Sequence, residues 1–354
     1  MESRKFLNLS HRKLSTLQGL DKFLHSDIST VSTENNSTVF EYWFKYWSNI
    51  IPDKFFFSWS DLEYLDLSHN WIGDEHDLSN LINLKCVNLS YNYIEDIGTF
   101  IGFNCLKNLE VLNLSRNKIS NMENIKTLTS LKSLDLSSNE ITIIEGLDGL
   151  VNLTTLDLSN NNIKQISGLN NQYCLEKLYL NNNKIKKICG FDNLLNLTYL
   201  DLSSNLDFDN ADKDYFIPSI SSIENLDNLT SLKYLNLNNN NIGAIENLDS
   251  LTNLLNLNLS NNELSCIENL DNLKKLEILD LSDNFCISKA CGMQELHYLT
   301  ILNIRKTNIK KIPQYLLDKT NLEILIADND TNFDTNINSN IDANIDANID
   351  TDFH

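Results

Sequence analysis

Residues 131–152 run LKSLDLSSNEITIIEGLDGLVN, and residues 153–174 run LTTLDLSNNNIKQISGLNNQYC. The two stretches share a length and a skeleton. A 22-residue unit repeated in tandem constrains this 354-residue chain more than any other property, because it points to a stacked array instead of separate globular cores. Copies start in register at Leu62, Leu84, Leu109, Leu131, Leu153, Leu175, Leu197, Leu232, Leu254, Leu276, Leu299 and Leu322, and a first copy begins near Arg4. The template is L-x-x-L-x-L-x-x-N-x-I, followed by apolar residues at positions 14, 17 and 20. In one copy these are Leu131, Leu134, Leu136, Asn139, Ile141, Ile144, Leu147 and Leu150.

The first half of the unit alternates with period two, which predicts a short strand with one buried face. The second half carries an apolar residue every third position, which suits a 3₁₀-like or extended return path. Identical strands reached by identical returns stack into a parallel sheet, one strand per coil of a solenoid. About thirteen strands spaced by about 4.8 Å give a sheet of roughly 60 Å. The asparagine at position 9 recurs as Asn70, Asn92, Asn117, Asn139, Asn161, Asn183, Asn205, Asn240, Asn262 and Asn284. Here the chain leaves the strand and turns inward, where backbone groups lose their ladder partners. A side-chain amide offers both donors and an acceptor, so a column of asparagines is expected to satisfy the turns of neighbouring coils.

With this wording the chain resembles the leucine-rich repeat superfamily, in particular the 22-residue class typified by the regulatory subunit of protein phosphatase 1. The resemblance covers about residues 1–330. It implies an α/β leucine-rich repeat solenoid of 12–13 copies, a curved horseshoe with the parallel sheet on its concave face. It also implies a role in binding other proteins, with a phosphatase catalytic subunit as one candidate partner.

Four features interrupt or end the array. Residues 26–61 follow the first copy and hold three of the four tryptophans. Within them Phe40, Trp43, Phe44 and Trp47 fit one helical face, while Phe40, Trp43, Ile50, Phe56 and Trp59 also fit a degenerate repeat that Lys45 spoils at position 6. The segment is expected to pack on the solenoid's core edge or else to form a secondary docking site. Three extra residues enter the copy at Leu84. Residues 206–218 form an acidic insertion whose aspartates, Asp207 among them, lack the glycine and glutamate of a calcium loop. A solvated loop is expected there. The Asn- and Asp-rich residues 331–354 are expected to be a disordered tail.

Composition narrows the function. A formal net charge of −20 repels phosphate backbones and anionic lipid, so neither nucleic acid nor a membrane is the expected partner. No apolar run approaches a membrane span, and the first residues lack the apolar core of a secretory signal, so a cytoplasmic monomer is expected. The seven cysteines contain no C-x-x-C. Six scattered histidines and ten glycines supply no hydrolase, metalloprotease or phosphate-loop motif. No catalysis, cofactor or metal is expected.

Recognition then falls to strand positions 3 and 5, whose side chains point away from the core. Most are small and polar. Lys177, Tyr179, Tyr199, Asp201 and Tyr234 stand apart, on three successive strands, with Asp135 and Asp157 adding negative potential nearby. Tyrosines supply contact area at low rotamer cost, so this patch is the candidate site for a partner presenting basic and apolar groups together. The other readings are a secreted or surface adhesion protein of the internalin type, or a structural spacer.

Overall fold

The structure is a computed structural model that describes residues 6–11, 13, 15, 62–73, 78–100, 102–208 and 219–328, and the backbone of 332–333. The aromatic insertion at 26–61 with Phe40, Trp43, Phe44 and Trp47, residues 209–218 of the acidic loop, and the tail beyond Phe333 lie outside the described residues.

Thirteen three-residue strands form one parallel sheet. In chain order they are β1 (Phe6–Asn8), β2 (Tyr64–Asp66), β3 (Cys86–Asn88), β4 (Val111–Asn113), β5 (Ser133–Asp135), β6 (Thr155–Asp157) and β7 (Lys177–Tyr179), then β8 (Tyr199–Asp201), β9 (Tyr234–Asn236), β10 (Asn256–Asn258), β11 (Ile278–Asp280), β12 (Ile301–Asn303) and β14 (Ile324–Ile326). Each strand occupies positions 3–5 of its copy, and each pairs with its neighbours position for position. A two-residue strand β13 (Lys311–Ile312) pairs separately with β15 (Asn332–Phe333). The chain is thus a leucine-rich repeat solenoid with little helix. Returns are turns, tightening into 3₁₀ helix at Ile97–Thr99, Phe103–Cys105 and Glu123–Thr127.

The template leucines and isoleucines are sealed inside, from Leu62 and Leu65 through Leu299 and Leu302, forming one continuous core along the array. No coil can bury its own apolar edge; each is covered by the coils before and after it. The coil bends inward at position 8, where non-glycine residues such as His69, Tyr91, Ser138, Asn160 and Asp283 all take φ near +55°. That left-handed step aims the next side chain, the position-9 asparagine, into the core.

There the amide bridges two coils. Asn139 Nδ2 donates to the carbonyls of Leu136 (3.0 Å) and Ser137 (3.3 Å) in its own turn and to Leu114 (3.0 Å) in the preceding coil. Its Oδ1 accepts from the Ile119 amide at 2.9 Å. The same four contacts recur at Asn92, Asn117, Asn161, Asn183, Asn205, Asn262 and Asn284. Asn240 keeps its three donations, but its Oδ1 finds no donor among the described residues. The preceding coil is the one that carries the insertion after Asn205. In the copy at Leu299, Thr307 replaces the asparagine and keeps one link, Oγ1 to the Ile304 carbonyl at 2.8 Å.

The convex turn makes its own demand. Position 16 is left-handed, filled by Gly146, Gly168 and Gly190 or by Asn225, Asn247 and Asn269. A Cβ at Gly168 would sit 2.4 Å from the Ile144 carbonyl oxygen. Where asparagine stands instead, its amide reaches back to the previous coil, as Asn247 does to the Ile223 carbonyl at 2.6 Å.

One expectation is corrected here. Asp207 is not a solvated loop residue: it is fully buried and its Oδ2 lies 2.9 Å from Lys186 Nζ. It lies within the insertion, while the template's inward isoleucine position of this coil is held by Ile220, which is buried and whose carbonyl accepts from Asn241 N at 2.9 Å. The ion pair offsets the desolvation of Asp207.

Asn139→Ala takes one of two donors from each of the Leu114, Leu136 and Ser137 carbonyls and removes the acceptor of the Ile119 amide. It is expected to cost about 1–3 kcal/mol, read from the midpoint of urea unfolding, whereas Asn139→Asp should keep the acceptor and lose the donations.

Candidate protein-binding face

The concave face has two rows with different duties. Position 3 side chains stand out from the sheet: Lys177 and Tyr234 are exposed, the latter by 37%. Position 5 is another matter. Asp66, Asn88, Asn113, Asp135, Asp201, Asn258 and Asp280 are all buried, and Asp201 is only 8% exposed. Each uses Oδ1 to accept from the position-7 amide of its own coil, for example Ser68 N to Asp66 at 2.9 Å, Ser137 N to Asp135 at 2.9 Å and Ser203 N to Asp201 at 2.8 Å. These are Asx turns that hold the strand exit. The expectation that position 5 opens freely onto solvent is therefore corrected: it is a second structural ladder, and Asp201 is first of all a turn residue. From β1 to β12 the exception is Tyr179, which has no such oxygen.

The structure brings the tyrosines together. The Tyr179 and Tyr199 rings lie 4.9 Å apart, tilted by 39°, and Tyr199 and Tyr234 lie 6.0 Å apart, tilted by 33°. They form a continuous aromatic strip across β7, β8 and β9, within the separations at which aromatic rings attract. Lys177 flanks the strip on β7, level with Tyr199. Burial, and then the neighbouring Asp201 charge, push the Tyr199 hydroxyl well above its usual range, so it remains a neutral donor.

Beside the strip lies a carboxylate pair. Asp135 and Asp157 sit side by side on β5 and β6. Burial is the main cause that raises both, and each charge opposes the other. Asp157 is pushed up to about 7, with Asp201 contributing from the far side and the Ser159 hydrogen bonds opposing. Ser137, Ser115 and Arg116 partly offset the rise at Asp135. The pair titrates as a unit.

Chemistry of other kinds finds little support. Cys86, the cysteine of the concave rows, has its thiol pushed up to about 12 by burial and then by Glu110, the reverse of an activated nucleophile. All seven cysteines are free. Among the described residues no cluster of His, Cys, Asp or Glu is arranged to hold a metal, and no helix is long and apolar enough to cross a membrane.

A second aromatic column escaped the sequence reading. His11, His69 and Tyr91 stack at 4.2 and 4.0 Å with near-parallel rings, and the Arg116 guanidinium caps Tyr91 at 4.8 Å. All four are position-8 residues, so tabulating that position in addition to 3 and 5 would have exposed them.

Because folding raises the Asp135–Asp157 pair, the native state holds its proton more tightly than the unfolded chain does. The associated stability is fully present below the unfolded value near 4 and is lost as pH rises through about 7. Asp157→Asn is therefore expected to raise the melting temperature at pH 8, with the gain shrinking towards pH 5, as followed by circular dichroism.

Leucine-rich repeat profiles match residues 60–102, 82–127 and 129–171 (Leucine Rich repeats, 2 copies) and 228–244 (Leucine Rich repeat). No curated protein sequence matches the chain. Among solved structures, an internalin (inlF) from Listeria monocytogenes is 27% identical with a TM-score of 0.65, covering 76% of this chain and 75% of its own. TLR13 in its complex with ssRNA13 is 28% identical with a TM-score of 0.62, covering 75% of this chain and 40% of its own. The functional domain of InlJ from the same Listeria species is 22% identical with a TM-score of 0.57, covering 75% of this chain and 58% of its own; it shares the fold. Repeat wording, coil geometry and profile matches agree: this chain is a leucine-rich repeat solenoid.

Proposed function

We propose that the chain is a non-enzymatic protein-interaction module that grips its partner through the concave face between β6 and β9. The observation that carries this reading is the strip Tyr179–Tyr199–Tyr234, three rings in sequence on three successive strands of the face. Tyrosine anchors give contact area with few rotamers to freeze. The neighbouring carboxylates favour a partner that brings basic and apolar groups together. The resemblance to phosphatase regulators makes a phosphatase catalytic subunit, and hence a cytoplasmic setting, the first partner to test; seven free thiols accord with that compartment.

A second reading has a specific observation behind it. The likeness to an internalin covers three quarters of both chains, so adhesion to a surface protein is the competing role. In both roles the concave face binds protein.

Affinity capture tests the site and separates the roles. Wild type and Tyr199→Ala/Tyr234→Ala would be compared on a eukaryotic lysate and on intact cells. Asp201 is left unchanged because it holds a turn. The expected outcome is a lysate partner, with phosphatase activity in the eluate, whose retention falls at least tenfold in the double variant. Capture by intact cells alone would favour adhesion. Equal retention by both proteins would place recognition elsewhere than the tyrosine strip.

A further inference from the structure

Each acidic residue at position 5 has two carboxylate oxygens to satisfy. Oδ1 caps the turn of its own coil. The surroundings of Oδ2 depend on the adjacent strands. Asp201 and Asp280 each meet an asparagine on the following strand and accept from Asn236 Nδ2 at 3.2 Å and Asn303 Nδ2 at 3.1 Å. Asp66 lies in register between Asn8 and Asn88, and Asp135 has Asn113 on one side. Asp157 differs. Its register partners are Asp135 and Tyr179, and neither carries an amide. The supply of neighbouring amides to the carboxylates of this row therefore breaks at one place, Asp157. The break puts two carboxylates on strands about 4.8 Å apart, with the aromatic strip beginning immediately beside them.

We propose that this break is a receptor for a guanidinium group: an arginine side chain of the partner seats against the Asp135–Asp157 pair with the Tyr179 ring on its flank. The inference rests on the concave-face reading and names the chemistry that face selects. A guanidinium presents its N–H donors in a planar fork, able to span two neighbouring carboxylates and to lay its face against a ring. It supplies the donors that asparagine supplies elsewhere along the row. A lysine ammonium brings the charge without the fork.

The charged and titratable groups around Asp157 are Asp135 from β5, with Arg116 acting on Asp135, Tyr179 in register on β7, and Tyr199 and Asp201 from β8; Lys177 stands at position 3 of β7. Arg116 is already committed over Tyr91 and Lys177 is exposed at position 3, so neither fills the break. Seating a cation expels the proton held by the pair. With Asp157 pushed up to about 7, its ionised fraction grows about tenfold from pH 6 to pH 8, and apparent affinity grows with it.

The test is a titration of the full chain, its aspartate carboxyls labelled with ¹³C, with the peptide acetyl-Gly-Arg-Gly-amide, alongside its lysine and citrulline counterparts. Expected are shifts of the Asp135 and Asp157 carboxyl resonances. Binding should be about tenfold tighter at pH 8 than at pH 6, several-fold weaker for lysine, and undetectable for neutral citrulline. Asp157→Asn, which restores the amide the row uses elsewhere, should lose at least fivefold in affinity and the pH dependence, with its circular dichroism unchanged. Asp135→Asn repeats the test from the other strand. Unmoved carboxyl resonances, equal binding by the citrulline peptide, or wild-type binding by both variants would overturn the proposal. Those results leave the capture by the tyrosine strip standing; loss of that capture effect is what removes the concave-face reading itself.

Discussion

The amide of the position-9 asparagine joins each coil to the one before it, and the array depends on that joint. Burial of leucine drives the coils together, yet apolar contact is non-directional and does not set one coil's height against the next. The asparagine does. Its two amide hydrogens and one oxygen are spent on backbone groups of both coils, so a displaced coil would strand several buried polar groups at once. In a solenoid, stability is a sum of coil and interface contributions, and the asparagine contributes to every interface it spans. The weak joints are then legible. Asn240 has lost its acceptor role, and Thr307, near the end of the sheet, bonds only within its own coil, to the Ile304 carbonyl and the Ile309 amide.

The concave face obeys the same logic with a different outcome. Position 5 is committed to Asx turns, and this commitment buries the carboxylates that a one-dimensional pattern places in solvent. Recognition is left to position 3 and to the places where position 5 departs from its rule. Tyr179 is such a departure, and it adjoins the one aspartate flanked by no amide. The tyrosine strip and the carboxylate pair are therefore neighbours for a common reason: on β6 and β7 the structural ladder gives way. A row built mainly of small, satisfied groups makes a small interruption chemically distinct.

The strands, their register, the parallel order and the asparagine column follow from the repeat alone, because period two and period three label buried faces without reference to distant residues. Asn139 occupies the same environment as Asn161 since the same residues surround both. The tyrosines could be gathered in advance for the same reason, as equal positions in adjacent copies must be neighbours in space. What remained hidden was of another kind. The left-handed step at position 8 is taken by histidine, tyrosine, serine, asparagine, aspartate and arginine alike, so no residue type announces it, and the His11–His69–Tyr91–Arg116 stack it organises went unseen.

Burial and charge state were likewise decided in three dimensions. Asp207 looks like one acidic loop residue among several, but the coil carries it inside, against Lys186. Asp157 looks like Asp66 or Asp280 in the wording of its copy, yet it alone has no amide in register beside it. The sequence by itself determined a coil and its repetition, since each copy contains the pattern that marks which of its side chains turn inward. The tertiary structure decided which polar groups are satisfied, because hydrogen bonding and desolvation at each residue depend on the coil before and the coil after, and those neighbours exist only once the array is stacked.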